Sequence, residues 1–221
     1  MNSSLLPALP AGAPVVIVLA SGRGRRFVAS GGAGSKLDAP LGGSTVLGMT
    51  LAAVAASGLP FHVERGAHAG MGDSIGAAVR ATAGAGGWLI LPGDLPLLRP
   101  DSLRAVAEAL AGRGAVSRGD AAVTRPAADG GGATVPDAAP PDAVLPLHAG
   151  QRGHPVGFAA SQRDALMALA GEQGAAPVLR ACRARGRCLE LALDDPGIAL
   201  DIDELADLQR AERLLRERAR R

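Results

Sequence analysis

Four groups of residues have types and spacings that can do chemistry. The first is Leu19-Ala20-Ser21-Gly22-Arg23-Gly24-Arg25-Arg26-Phe27, followed by Lys36. Glycines directly after an apolar run let backbone N–H groups approach phosphate oxygens, and the Arg23, Arg25, Arg26 and Lys36 cations can neutralise them. A P-loop is excluded, because Lys36 follows Ser35 and precedes Leu37 where Gly-Lys-Ser/Thr is required. A dinucleotide fingerprint is excluded as well. It needs a third glycine near Phe27 and a helix starting directly. A plain solvated turn is the alternative to phosphate binding.

The second group is Pro92-Gly93-Asp94-Leu95-Pro96-Leu97-Leu98. A carboxylate at the end of a buried apolar strand is costly unless it meets a cation. Asp94 therefore suits an oxygen-ligated Mg²⁺ that bridges to phosphates, or else caps the following turn. The third group is Asp194, Asp195, Asp201 and Asp203. The alternation Asp201-Ile202-Asp203 places both acids on one face of an extended segment, with Ile202 packed inward. They can complete a metal site with Asp94, and Asp203 can also be the N-cap of a last helix.

The fourth group is Arg152-Gly153-His154-Pro155, where His154 either contacts a polar substrate or hydrogen-bonds backbone in a Gly-Pro turn. No second histidine stands at metal spacing, and no Ser or Cys triad is present. Ser74, in Gly70-Met71-Gly72-Asp73-Ser74-Ile75-Gly76, misses the GxSxG elbow in either register. That segment reads instead as a Gly loop at a helix N-terminus, suited to ribose or base contacts.

Strand–loop–helix alternation must position these groups. Val15–Leu19 and Trp88–Leu91 are short buried strands, and residues 61–64 are a third. Helices are predicted over 45–57, ending at Gly58, over 72–84 with Asp73 or Ser74 as cap, and over 101–111 with an Asp101-Ser102 cap. Further helices are predicted over 161–170, 175–185 and 204–219, and strands over 143–147 and 189–193. The pattern is α/β, a sheet with helices on its faces, and ligands in such sheets sit beyond the carboxyl ends of the strands. Gly22 and Asp94 fall at those ends. Residues 1–13 read as a flexible leader. Residues 14–221 read as one domain, with a flexible insertion at about 117–142 that carries Gly130-Gly131-Gly132 and Pro140-Pro141.

Composition narrows the function. The chain has 221 residues, 48% of them apolar, yet aromatics are only 2%, so its core must be Ala, Val and Leu. That excludes an aromatic stacking platform for nucleic acid. A net charge of +2 provides no broad basic face, and the terminal arginines complement the negative end of the last helix dipole. Cys182 and Cys188 have no metal-type spacing and read as reduced thiols of a cytoplasmic protein. No apolar run is long enough to span a membrane.

Taken in order, the motifs LASG with Arg26 and Lys36, GMGDSIGAAV, PGDLPLL, RGHPVGF, LAGEQGAAPVL and DIDELADL resemble the MobA-like nucleotidyltransferase family, most of all its molybdenum cofactor cytidylyltransferase branch. The resemblance implies a three-layer, Rossmann-like α/β/α fold of nucleotidyltransferase type with a mostly parallel mixed sheet. It implies transfer of a nucleoside monophosphate from an NTP to a phosphorylated acceptor, with Mg²⁺ and release of pyrophosphate. On this reading Arg26, Lys36 and Asp94 are catalytic. Leu19, Ala20, Ser21, Gly22, Gly24, Gly70, Met71, Gly72, Ser74 and Gly93 hold the nucleotide. Arg152, Gly153 and His154 face the acceptor, and Asp94, Asp201 and Asp203 hold the metal.

Ser21 in LASG favours CTP over GTP. The implied acceptor is molybdopterin, and the implied assembly a monomer or weak homodimer. The sequence also departs from the family pattern. VASGGAGS lengthens the loop before Lys36, the stretch before Gly70 is short by a strand and a helix, and Gly171–Ala176 lacks an Asp and an Arg of the usual GDxGAR. A sugar phosphate or methylerythritol phosphate acceptor, and a nucleotide-binding protein with lost catalysis, are the competing expectations.

Overall fold

The computed structural model describes residues 12–22, 24–113, 123–124, 139–218 and 220. The expected leader up to Ala11, Arg23 and most of the expected 117–142 insertion lie outside the described residues. In chain order the elements are β1 (Pro14–Leu19), α1 (Arg25–Ala29), β2 (Pro40–Leu41), β3 (Ser44–Thr45), α2 (Val46–Ser57), β4 (Phe61–Glu64), α3 (Met71–Ala81), β5 (Gly87–Pro92) and α4 (Pro100–Leu110). They continue with β6 (Val123–Thr124), β7 (Ala143–His148), β8 (Gln151–Arg152), β9 (Val156–Ala159), α5 (Arg163–Met167), α6 (Ala176–Ala184), β10 (Cys188–Ala192) and α7 (Leu205–Arg218).

The main sheet runs β4-β1-β5-β9-β7-β10-β6, with β8 paired to β7. β1 is parallel to both β4 and β5, and β10 is parallel to β7. β9 is inserted antiparallel between β5 and β7. Its reversal follows from the tight turn after β7, where Ala149 and Gly150 take φ of 49° and 79°. Two consecutive positive φ values make the two-residue hairpin turn that matches strand twist.

Period-two alternation sorts the strand side chains into two cores. Val16, Val18, Leu89, Leu91, Val144 and Leu191 pack with residues of α2 and α4 on one face. Val15, Ile17, Trp88, Ile90, Leu145 and Phe158 pack with α3, α5 and α6 on the other. The sheet therefore lies between two helical layers, as the three-layer α/β/α reading requires. Buried Trp88 donates its indole N–H to Thr82 Oγ1 at 3.0 Å, so the largest apolar side chain leaves no polar atom wanting. A third cluster caps the carboxyl ends of the strands, where Phe27 of α1 meets Leu41, Leu97, Ile202 and Leu208.

Several local expectations are corrected. α3 starts at Met71 with Gly70 as its N-cap, and no side chain caps it, because the Asp73 carboxylate turns out to accept from Gly171 N–H. α4 starts at Pro100, ahead of Asp101-Ser102, because proline suits the first helical turn. The helix expected over 161–170 is a 3₁₀ turn plus the five-residue α5, since the chain bends to run beneath the glycines of α3. Asp203 does not cap α7. Its carboxylate pairs with Arg26 and Lys36, while Ser30 Oγ accepts from Leu205 N–H at 2.9 Å. Of the 117–142 stretch, Val123–Thr124 pairs antiparallel with Leu191 and Glu190 of β10. Among the described residues no helix is long and apolar enough to cross a membrane.

Candidate active site

β1 and β5 are adjacent and parallel, so their carboxyl ends deliver Ala20–Gly22 and Gly93-Asp94 to the same edge of the sheet. Two backbone bonds lock the turn. Gly93 N–H donates to Leu19 O at 2.9 Å, and Ala20 N–H donates to Glu64 O at 2.8 Å. A third bond, Ile202 N–H to Asp94 O at 3.0 Å, lays the Asp201–Asp203 segment across Asp94. Ile202 is buried in the capping cluster while Asp201 is exposed and Asp203 half-buried, as the alternation predicts.

The lengthened loop between Arg26 and Lys36 folds onto itself. Gly32 N–H bonds Phe27 O at 2.9 Å and Gly31 N–H bonds Val28 O at 3.1 Å. Gly24 takes φ of 56°, and a Cβ there would sit 3.3 Å from Lys36 N. The chain therefore returns Lys36 to the glycine turn it left.

The result is a row of alternating charges. Lys36 Nζ lies 2.6 Å from Asp94 Oδ2 and 2.9 Å from Asp203 Oδ1, and Arg26 NH1 lies 2.8 Å from Asp203 Oδ2. Burial works against the Lys36 ammonium, yet Asp94 and then Asp203 outweigh it and raise its pKa above the usual lysine value. Although the residue as a whole is exposed, partial desolvation of its carboxyl raises the pKa of Asp201; its own backbone N–H opposes this, and the charges of Asp203 and Asp94 add to it. Lys36 has three N–H donors and spends two on carboxylates, which leaves one for a phosphate oxygen. Arg26, whose side chain is 73% exposed, spends one of its five donors on Asp203.

These residues fit Mg²⁺ in a specific way. Asp94 Oδ1 is buried with no hydrogen-bond partner, a hard oxygen left unsatisfied beside Lys36. Both Asp203 oxygens are engaged by cations, so Asp94 and Asp201 are the carboxylates left to a metal. Among the described residues no three His, Cys, Asp or Glu side chains form a complete cage. Mg²⁺ usually takes one or two carboxylates and completes its shell with waters and substrate phosphates.

Gly70, Met71, Gly72 and Ser74 approach the same edge from α3. Ser74 Oγ lies 3.4 Å from Ser21 Oγ, joining the two Gly segments. Met71 is 50% exposed and borders the site as an apolar surface. Gly70 and Gly72 have a packing reason of their own. A Cβ on Gly70 would run into the Gly171 backbone, and one on Gly72 would lie 2.8 Å from Ala170. The shared backbone bond, Gly72 N–H to Gly171 O, is 2.7 Å.

The Arg152-Gly153-His154 segment divides. Arg152 is exposed on β8, and its charge acts on Cys188. Gly153 packs under Ile198, which a Cβ would strike. His154 turns inward. Its backbone N–H donates to Ile198 O at 2.8 Å, and burial lowers the ring pKa while the Asp94 charge and a hydrogen bond to the Ile90 backbone raise it, burial winning.

Sequence reasoning missed a cluster beside Ala20. His62 and Glu64 alternate on β4, and Glu64 Oε1 accepts from Gly66 N–H at 2.6 Å and lies 3.2 Å from His68 Nε2. Burial pushes the Glu64 carboxyl up, but the Gly66 bond and then His68 and His62 bring it below the usual value. The His-x-Glu alternation on a predicted strand was the available signal. Between α2 and α3 stands only β4, the edge of the sheet, in keeping with the short sequence before Gly70.

A family model described as a MobA-like NTP transferase domain matches residues 50–188. No curated protein matches significantly. Among solved structures, Rv0371c from Mycobacterium tuberculosis H37Rv superposes with a TM-score of 0.65 at 22% identity, over 93% of this chain and 100% of that one. A nucleotidyl transferase from Methanothermobacter thermautotrophicus superposes with 0.64 at 23% identity, over 93% and 99%. Molybdopterin-guanine dinucleotide biosynthesis protein A from Archaeoglobus fulgidus superposes with 0.56 at 18% identity, over 92% and 99%. These likenesses fall on the α/β nucleotidyltransferase fold as a whole.

Proposed function

The chain belongs to the MobA-like NTP transferase family, and from that premise we propose that it moves CMP from CTP onto a phosphorylated acceptor, molybdopterin, and releases pyrophosphate. The observation that carries the reading is Lys36, shared between Asp94 and Asp203 at the carboxyl ends of β1 and β5. A cation held between two acids, with one donor spare, suits a site that must receive a negatively charged triphosphate beside a metal.

In the reaction an oxygen of the acceptor phosphate attacks the α-phosphorus of CTP. The bond from the α-phosphorus to the oxygen bridging to the β-phosphate breaks, and pyrophosphate leaves with that electron pair. The attacking oxygen is already anionic, so no general base is required, and the protein's work is alignment and charge neutralisation. The backbone N–H groups of Ser21 and Gly22 receive the triphosphate, on a turn that Ala20 and Gly93 hold through their own backbone bonds. Lys36 and Arg26 compensate charge on the phosphates. Asp94, with Asp201, would hold Mg²⁺, which when bound neutralises phosphate oxygens and orients the leaving group. Ser21 and Ser74, bonded to one another, border the ribose, and Met71 offers the base an apolar contact in a chain poor in aromatic rings.

The test is a product assay with CTP, GTP, ATP and UTP, each with Mg²⁺ and molybdopterin. Pyrophosphate release with CTP and molybdopterin, giving the dinucleotide product, is expected. Release only with a sugar phosphate or methylerythritol phosphate would keep the chemistry and replace the acceptor. Thermal shift is the companion measurement, since a nucleotide at 100 times its Kd adds about 2.7 kcal/mol of stability. No shift with any of the four nucleotides would overturn the reading.

A further inference from the structure

We infer that Ser30 is a positioning residue for the triphosphate, its hydroxyl tying α1 to the start of α7 so that the Arg26 guanidinium stays in the charge row beside Asp203 and Lys36. This rests on the proposed nucleotidyl transfer and adds to it a residue outside the charged set.

α1 needs such a tie. It is five residues long, too short to hold its direction unaided, and no side chain caps its start at Gly24. Phe27 is buried with Ile202 and Leu208, which keeps α1 against the Asp201–Leu205 segment. An apolar contact is non-directional, so it leaves the rotation of the short helix open. Hydrogen bonds, which are directional, decide it.

Ser30 supplies them. Its backbone N–H donates to Arg26 O at 3.0 Å, which sets Ser30 one turn beyond Arg26 on the same face of α1. Its hydroxyl donates to Phe27 O at 2.9 Å and accepts from Leu205 N–H at 2.9 Å. One turn back, Arg26 NH1 meets Asp203 Oδ2 at 2.8 Å. The helix therefore touches the facing segment at two points, Arg26 on Asp203 and Ser30 on Leu205. That segment is anchored on its own account. Asp94 O holds Ile202 N–H at 3.0 Å, and Asp207 Oδ2 holds the N–H groups of Asp203 and Glu204 at 3.0 and 2.8 Å.

Of the two points, an arriving triphosphate disturbs only one. Arg26 is 73% exposed, and turning toward a phosphate loosens its hold on Asp203. The Ser30–Leu205 bond involves no charge and persists, so α1 keeps its place while Arg26 changes partner. The tie lies inside Val28–Ser35, the stretch that lengthens the loop before Lys36.

The test is a double-mutant cycle on the whole protein. Affinity is read by calorimetry with Mg²⁺ and a CTP analogue whose α- and β-phosphates are joined by a methylene bridge. Ser30→Ala should weaken binding about fivefold, the worth of one hydrogen bond, and Ser30→Thr, which keeps a hydroxyl, should stay within about twofold of the parent. Arg26→Ala should weaken binding about 10–100-fold. In that background Ser30→Ala should cost nothing further, because the tie then has no guanidinium to place. Loss by the same factor in both backgrounds would make the bond merely structural, overturning the inference and leaving the functional reading standing. Parent-like binding by Ser30→Ala, or equal losses in the Thr and Ala variants, would do the same. A parent protein that fails to bind the analogue would overturn both.

Discussion

Lys36 Nζ stands 2.6 Å from Asp94 Oδ2, and each side chain is only 12% exposed. A buried pair with so little solvent is far more sensitive to loss of one partner than to replacement of both. Lys36→Met leaves Asp94 charged and unpaired. It should destabilise the protein by about 3 kcal/mol in urea unfolding and lower turnover by roughly 100-fold or more. Lys36→Met with Asp94→Asn should recover part of the stability and none of the activity. The pH dependence has a definite sign. The folded pKa of Lys36 is raised above its ordinary 10.5, so the pair's stabilisation is complete below that value and lost as pH rises through the folded pKa. The stability gap between parent and Lys36→Met should shrink as pH rises through that alkaline range.

Much of this centre was legible beforehand because it is built from local signals. Apolar runs ending in Gly22 and Gly93-Asp94 located the strand ends, and the Asp201-Ile202-Asp203 alternation located the acids. What stayed hidden involves partners distant in sequence. The cap of α7 comes from Ser30, 175 residues away, and that of α4 from Asp195. Propensity suggested Asp203 and Asp101 instead, because helix-start rules see only neighbours. His154 could not be placed either, since its surroundings come from β5 and the segment around Ile198. The reversal of β9 followed from the Ala149-Gly150 turn, which composition alone does not reveal.

Asp195 illustrates the distant capping and yields a prediction. It is 2% exposed and accepts from Arg99 N–H at 2.9 Å, Ser102 Oγ at 2.7 Å and Gly197 N–H at 2.9 Å. One carboxylate therefore serves the N-terminus of α4 and the turn after β10 together. Asp195→Ala strands three donors and should cost about 3 kcal/mol, more than a single helix cap is worth. Ser102→Ala removes one of the bonds and should cost about 1 kcal/mol. Folded Asp195→Ala should keep its nucleotide affinity, read by calorimetry. A matching loss of affinity would place Asp195 in the site.

Gly70 separates two meanings of a glycine near a ligand. If its lack of a Cβ serves only nucleotide approach, Gly70→Ala should alter binding and leave the free protein as stable as before. The geometry requires more, because the added carbon meets the Gly171 backbone, which cannot swing aside as a side chain would. Overpacking of this kind costs about 1–3 kcal/mol. Gly70→Ala should therefore lower the midpoint of unfolding with no nucleotide present. Gly22→Ala, with nothing within 4 Å of its Cβ, should leave stability nearly unchanged and lower affinity through triphosphate approach.

Asp201 sets stability against binding. Partial desolvation of its carboxyl first, and then the charges of Asp203 and Asp94, raise its folded pKa above the ordinary 3.8. An acid raised on folding binds more protons in the folded than in the unfolded chain between those two values. Stability therefore falls as pH rises through that window, and the penalty is complete above it. Asp201→Asn removes the repulsion. The variant should match the parent below the ordinary value, pull ahead as pH rises to the folded pKa, and keep a higher Tm from there to neutral pH. The same substitution removes a carboxylate offered to the cation, so affinity for Mn²⁺ with the CTP analogue should fall. Higher Tm with weaker cation binding is the pattern of a site kept unstable for use. Higher Tm with unchanged cation affinity would leave Asp94 as the carboxylate ligand and remove Asp201 from the metal set.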